Sequence, residues 1–468
     1  MTKTQIQNRL SAYFFGAGYP LTVGLLCFLS HVSSLEWLFG GVIVISASFA
    51  LILTDSMRAI LCPVACICYH IARVDGAQSK DSPDYYLSGI GAVVFSVLVL
   101  SFCLSAAIFF VKKYRRGALA GAKTPFSLSA PLLTLALLLN GIGAEGYTPK
   151  NLLMGIFSSL TLFFFFYLFY FGLIGEKTEK IIDSFTLSGA VIALTVSAEL
   201  LWLYTSGGVI SDGAVIKERM VFGWGIWNTA GSILVSAIPA CFLGFFCGRH
   251  RWFYFASASI GYIAAVMTLS RNALVLSTVI YISLFIVSAF IGNSRRVMKK
   301  LLPIFALFCA VLAAILSPKI VKLLSDYIDR GFSDNGRFAL WRAGISDFLS
   351  APIFGRGFFG VSAPPDFASA LPGMLHSTPI QLLASSGVFG FLSYLIYRAE
   401  SLLRIFLRPS REVIIVSLSF ISVLFGSLID NFIFYMHQMI FPSIALAIAF
   451  IMTVPNANFK KFQKGIDN

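Results

Sequence analysis

Apolar runs long enough to cross a bilayer recur along this chain almost without a break, and that excludes a water-soluble globule. A spanning helix needs about 20 mostly apolar residues, because the hydrocarbon layer is about 30 Å thick and a helix rises about 1.5 Å per residue. Such segments fall at 12–30, 36–54, 59–72, 87–111, 127–143, 151–174, 184–204, 229–247, 253–269, 273–291, 301–317, 378–397, 413–429 and 438–454. The expected fold class is all-α: a polytopic integral membrane protein with about 12–14 transmembrane helices and one long outer loop carrying short helices. The segment 59–72 is short and either spans or re-enters. With 57% apolar and only 12% charged residues, against about 25% charged in soluble domains, little is left for a separate soluble unit.

Orientation follows from the cations, since Lys and Arg accumulate in short cytoplasmic loops. With the N-terminus cytoplasmic, Lys112, Lys113, Arg115, Arg116, Arg249, Arg251, Arg295, Arg296, Lys299, Lys300, Arg398, Arg404, Arg408, Arg411, Lys460, Lys461 and Lys464 all fall on its side. Topology therefore accounts for most of the net charge of +14, and no nucleic-acid partner is implied. Residues 1–10 lack a small-residue cleavage site, so the first helix reads as retained. The eight cysteines lie in or beside apolar spans, and the Cys62, Cys66, Cys68 cluster has no paired second half. Neither a metal nor a cofactor is expected.

The only long interruption of the apolar pattern, Ser317 to Ser377, carries Lys319, Lys322, Arg330, Arg337, Arg342 and Arg356 on the side that the charge bias disfavours. Two amphipathic runs, Lys319–Gly331 and Arg337–Leu349 with Asp334 as N-cap, predict two short helices over the outer membrane surface, ended by the turn APIFGRGFFG. Three side chains stand out around this loop. Arg271 interrupts MTLSRNALV at a tight outer turn; Arg337 opens RFALWRAGISDF, with Trp341 one turn on; His376 sits in LPGMLHSTPIQLL where the loop re-enters the membrane. Each has a plain structural account: a snorkelling arginine, a solvated helix and a packed histidine. Together they suit one chemistry. Arginine offers a planar fork to phosphate oxygens and stays charged, and histidine can carry a proton near neutral pH. No Walker or dinucleotide loop is present, so a nucleotide donor is not indicated.

These stretches resemble the O-antigen ligases and the O-antigen or polysaccharide polymerases, which share one core. The likeness lies in SRNALV, in GRFALWRAGISDFLSAPIFGRGFF, in LHSTPIQLLASSGVFGF and the spans that follow, and more faintly in RMVFGWGIWNTAGSIL. It covers about residues 180–450, dividing the chain into N-terminal membrane helices, 1–174, and a ligase- or polymerase-like core, 175–468, with the long periplasmic or extracellular loop at 318–377. Ser377 stands where many relatives have Asn.

The resemblance implies a metal-independent glycosyltransferase of the bacterial inner (cytoplasmic) membrane, working on the periplasmic or external face in lipopolysaccharide or exopolysaccharide synthesis for the cell envelope. Its donor would be a glycan on undecaprenyl pyrophosphate and its acceptor a glycan or lipid hydroxyl. The bilayer surrounds it, and a chain-length regulator is a further candidate partner. Arg271 and Arg337 would stabilise the leaving pyrophosphate, and His376 would assist the acceptor in an inverting attack. Arg342, Arg356, Arg219, Trp341 and Asp430 are the candidates for substrate contacts, with Trp224, Trp227, Asn431 and His437 behind them. The Gly-rich GWGIWN loop leans towards a polymerase. The competing class is a transporter, such as a flippase of lipid-linked oligosaccharide, which would show repeated halves or broken helices near the midplane.

Overall fold

The computed structural model describes residues 3–33, 35–70, 89–119, 123–145, 147–206, 209–211, 214–216, 219–222, 225–248, 250–290, 295, 298–300, 302–303, 336–362 and 374–453. The expected span 301–317, the amphipathic run Lys319–Gly331, the cap Asp334 and Trp224 lie wholly or almost wholly outside these residues.

The described chain is helical almost throughout: α1 Lys3–Phe15, α2 Gly18–Ser33, α3 Glu36–Thr54, α4 Leu61–His70, α5 Gly89–Arg115, α6 Ser129–Leu138, α7 Pro149–Leu173, α8 Thr178–Ser206, α9 Trp227–Cys247, α10 Arg251–Met267, α11 Arg271–Phe290, α12 Arg337–Ser350, α13 Thr378–Leu407, α14 Arg411–Gly426 and α15 Met436–Thr453. Helix is the form that satisfies every backbone N–H and C=O within one segment, which hydrocarbon demands. Among the described residues eight helices are long and apolar enough to cross a membrane, and a ninth crossing is formed if α1 and α2, bent by 62°, act as one span. Helices α10 and α14, of 17 and 16 residues, are slightly shorter and run between the same two ends. The expected span 127–143 is realised only as the ten-residue α6, too short to cross alone.

Helix α9 is the hub: all its residues from Thr229 to Phe246 are buried, against α8, α10, α11 and α14. Small residues let the backbones approach, since a Cβ on Gly189 would meet Ala240, one on Gly231 would meet Ala273, and one on Gly261 would touch Ala193. The described part of the connection from α8 to α9 forms two short hairpins, Ile210–Ser211 with Ala214–Val215 and Val221–Phe222 with Gly225–Ile226. One described residue of this connection, Phe222, is buried, its ring stacked with that of His31.

At one end of the bundle are Arg58, Lys112, Arg116, Lys123, Lys177, Arg408 and Arg411; at the other are the turn 268–270, the start of α12, the start of α13 and the turn 427–435. The charge bias read from the sequence thus falls on one physical end. Arg398 departs from that reading. It stands inside α13, buried, its guanidinium over the rings of Tyr394, Tyr397 and Phe420 at 4.8, 4.9 and 5.1 Å, rather than in a loop.

The turn APIFGRGFFG also departs from expectation, because it inserts into the bundle instead of lying over it. Helix α13 is broken at Gly387 (φ 64°), which frees backbone groups on either side of the break. The inserted turn takes them up: Arg356 and Gly357 donate to the carbonyls of Ala384 and Ser385, and Val388 and Phe389 donate to those of Pro352 and Ile353. On its other side Phe358 and Phe359 donate to the Oδ1 atoms of Asn140 and Asn151. Irregular backbone survives at this depth only with such internal partners.

Candidate functional site

The cation-poor end gathers three helix starts and one helix end around the turn 427–435. Thr378 N–H donates to the Ser427 carbonyl at 2.9 Å, and Thr378 Oγ1 to the Asp430 carbonyl at 3.3 Å, so the first turn of α13 is tied to that turn. From the other side Asn272 Nδ2 donates to the Gly426 carbonyl at 3.3 Å, which draws in the start of α11 and with it Arg271.

His376 lies two residues before α13 with φ +48°, a left-handed conformation uncommon for a residue with a Cβ. Its neighbours hold it there. Leu375 is fully buried; its carbonyl accepts from Trp341 Nε1 at 3.0 Å and its N–H donates to Gln381 Oε1 at 2.9 Å. The imidazole is 42% exposed, and its Nδ1 lies 3.2 Å from Asp430 Oδ1, whose side chain is 9% exposed. A carboxylate facing Nδ1 favours the tautomer with its proton on that nitrogen, which would leave Nε2 as the acceptor of the neutral ring. Beside this pair, burial pushes the Tyr435 phenol up, with Asp430 adding to the effect, so it remains a neutral hydroxyl.

Arg337 is the first residue of α12, half-buried, following Gly336 at φ +75°. Leu340, Gly344 and Asp347 form the buried stripe of that helix, and Leu375 seats directly over Gly344, where a Cβ would clash with it. Arg337 therefore opens the same helix whose Trp341, one turn on, grips the residue before His376.

The remaining candidates divide. Asp430 touches the histidine. Trp341 uses its indole N–H on the chain and packs against Leu340, Val361, Leu375 and Ala384, so it braces the loop. Arg356 pairs with buried Asp347 at 3.0 Å; that carboxylate also accepts from Ser362 N and Oγ at 2.6 and 2.9 Å, which locks the inserted turn to α12. Arg342 is exposed, off the buried stripe of α12, and Arg219 is exposed between the two short hairpins. Trp227 opens α9 and packs against the core. Among the described residues no three His, Cys, Asp or Glu side chains gather as metal ligands would.

One residue was missed from the sequence as a partner of this site, Gln381. The available signal was only an amide side chain inside an otherwise apolar span.

Residues 220–395 match the family model described as O-Antigen ligase. The match takes in Arg271, Arg337 and His376 and stops short of Asp430. No curated protein and no solved structure matches the chain.

Proposed function

We infer that this chain, whose residues 220–395 match the O-antigen ligase model, transfers a glycan from polyprenyl pyrophosphate to an acceptor hydroxyl. The observation that carries the reading is the His376–Asp430 pair, with the imidazole 42% exposed, at the same end of the bundle as Arg271 and Arg337. In the proposed step Nε2 takes the acceptor proton as the hydroxyl oxygen attacks the anomeric carbon from the face opposite the leaving group. The anomeric C–O bond breaks, and its electron pair leaves with the lipid pyrophosphate. Arg271 and Arg337 offset that growing negative charge, the role a divalent cation plays elsewhere. Asp430 fixes the tautomer and stabilises the imidazolium that forms. The configuration at the anomeric carbon inverts.

The cation-rich end would face the cytoplasm of a bacterial inner membrane, which puts the site on the periplasmic or external side. A transporter would use a broken helix to bind its cargo, and α13 is broken. Its backbone groups at the break are taken by the protein's own residues 352–357, however, which leaves that feature structural.

The test is purified protein in detergent with undecaprenyl-pyrophosphate-linked glycan. Release of the lipid pyrophosphate with glycan growth is expected. His376→Ala should abolish release while donor binding persists, and full turnover by that variant would sink the reading. A deletion strain separates the two activities: a lost ligase leaves long lipid-linked polymer, a lost polymerase leaves single units.

A further inference from the structure

We propose that Gln381 is a positioning residue that keys His376 to Asp430; this rests on the transfer reading given above. Gln381 is fully buried, one turn into α13, and its Oε1 accepts two hydrogen bonds from different parts of the chain. One comes from Leu375 N–H at 2.9 Å, the residue before the histidine. The other comes from Asn431 Nδ2 at 3.1 Å, the residue after the aspartate. Asn431 N–H in turn donates to Asp430 Oδ1 at 2.9 Å, the same oxygen that faces the imidazole. One amide oxygen therefore sets the spacing between the two segments whose side chains form the pair.

The strain at His376 gives this tie its consequence. A left-handed residue with a Cβ is strained and keeps that shape only where its surroundings over-determine it. Leu375 is held at its carbonyl by Trp341 and at its N–H by Gln381; without the second bond the buried N–H is orphaned and the peptide is free to turn. Turning it rotates the imidazole away from Asp430, so the histidine would remain present but misaimed. Asn431 is buried as completely as Gln381, so solvent does not replace the lost bond.

The test uses full-length protein in proteoliposomes with undecaprenyl-pyrophosphate-linked glycan, reading kcat, the donor KM and the thermal midpoint. Gln381→Leu, which keeps the shape and removes the acceptor, should lower kcat by about tenfold to a hundredfold, part of what a general base contributes, while the donor KM moves by less than about threefold. Gln381→Glu retains an acceptor oxygen and should recover most of the rate. In an Asp430→Asn background, Gln381→Leu should add less than about threefold, because both changes break one pair. If Gln381→Leu does not fold, Asn431→Ala cuts the other half of the tie; because Leu375 keeps its acceptor, a smaller kcat loss of about threefold to tenfold is expected, with the same lack of additivity with Asp430→Asn. Wild-type turnover in Gln381→Leu, or a loss that multiplies with that of Asp430→Asn, would overturn the proposal. Should His376→Ala itself turn over normally, the transfer reading fails instead, so the two failures are distinguishable.

Discussion

A guanidinium at the mouth of a helix and an imidazole held by a carboxylate respond differently to substitution, and the difference reports their roles. Arg337→Ala is expected to cost about 2–5 kcal/mol in kcat/KM if the charge meets a desolvated phosphate, and Arg337→Lys should recover little because the ammonium lacks the fork. Wild-type glycan length from Arg337→Ala at normal expression would remove it from the site. Asp430→Asn is near-isosteric but can present an N–H to the imidazole, which favours the wrong tautomer; about a hundredfold loss of kcat with donor binding retained is expected in the same assay. Arg356→Ala should act otherwise. It leaves Asp347 buried with one partner fewer, so its first sign should be a lowered thermal midpoint.

At the scale of elements, the broken helix and the inserted turn form one device. Gly355 (φ +67°) faces the Ser385 backbone, and Gly387 (φ +64°) faces that of Ile353, each so closely that a Cβ would collide. Gly387→Ala meets the left-handed penalty of about 1–2 kcal/mol and the steric clash together. Loss of monodisperse protein in fluorescence-detected size exclusion is the expected outcome, and normal yield would show that the break can relax. Arg398 offers a contrast within the same helix. Its guanidinium makes ring contacts and no hydrogen bond among the described residues, so Arg398→Leu should leave the thermal midpoint unchanged or raised, whereas Arg398→Ala should lower it by emptying packed volume.

For the whole molecule, the cation-rich end is also where the helices are clipped together. Asp55, closing α3, pairs with Lys112 at 3.1 Å on α5 and with Arg116 at 2.8 Å just past its end, and Arg58 pairs with Glu176 between α7 and α8. Partial burial disfavours the Asp55 carboxylate, but the hydrogen bonds and charges of Arg116 and Lys112 outweigh it and hold the group below its ordinary value of 3.8. A lowered folded pKa stabilises the fold above the ordinary value, and that contribution is lost as pH falls through the folded one. Thermal stability in detergent should therefore drop below pH 3.8, and less steeply in Asp55→Asn; with these groups partly exposed the effect is about 0–1 kcal/mol. In a cysteine-free background, a cysteine at exposed Glu145 should react with an impermeant maleimide from outside the cell, and one at exposed Arg116 only after permeabilisation. The reverse pattern would turn the site towards the cytoplasm.

Much of this was legible from residues alone because a bilayer is an exacting solvent. Apolar length dictates spans and cation placement marks one end, and neither depends on which helix touches which. Arg271 stood out as a cation interrupting an apolar stretch, and Arg337 and His376 as a cation and an imidazole in or beside the one long loop, on the side that the charge bias disfavours. What sequence could not decide was partnership. Nothing local says that Asp430, fifty-four residues on, would meet His376, that Trp341 and Arg356 would serve the loop's own architecture, or that APIFGRGFFG would sink into a broken helix. Those outcomes depend on where backbone donors and acceptors are left over once the helices have packed, and only the assembled bundle determines that.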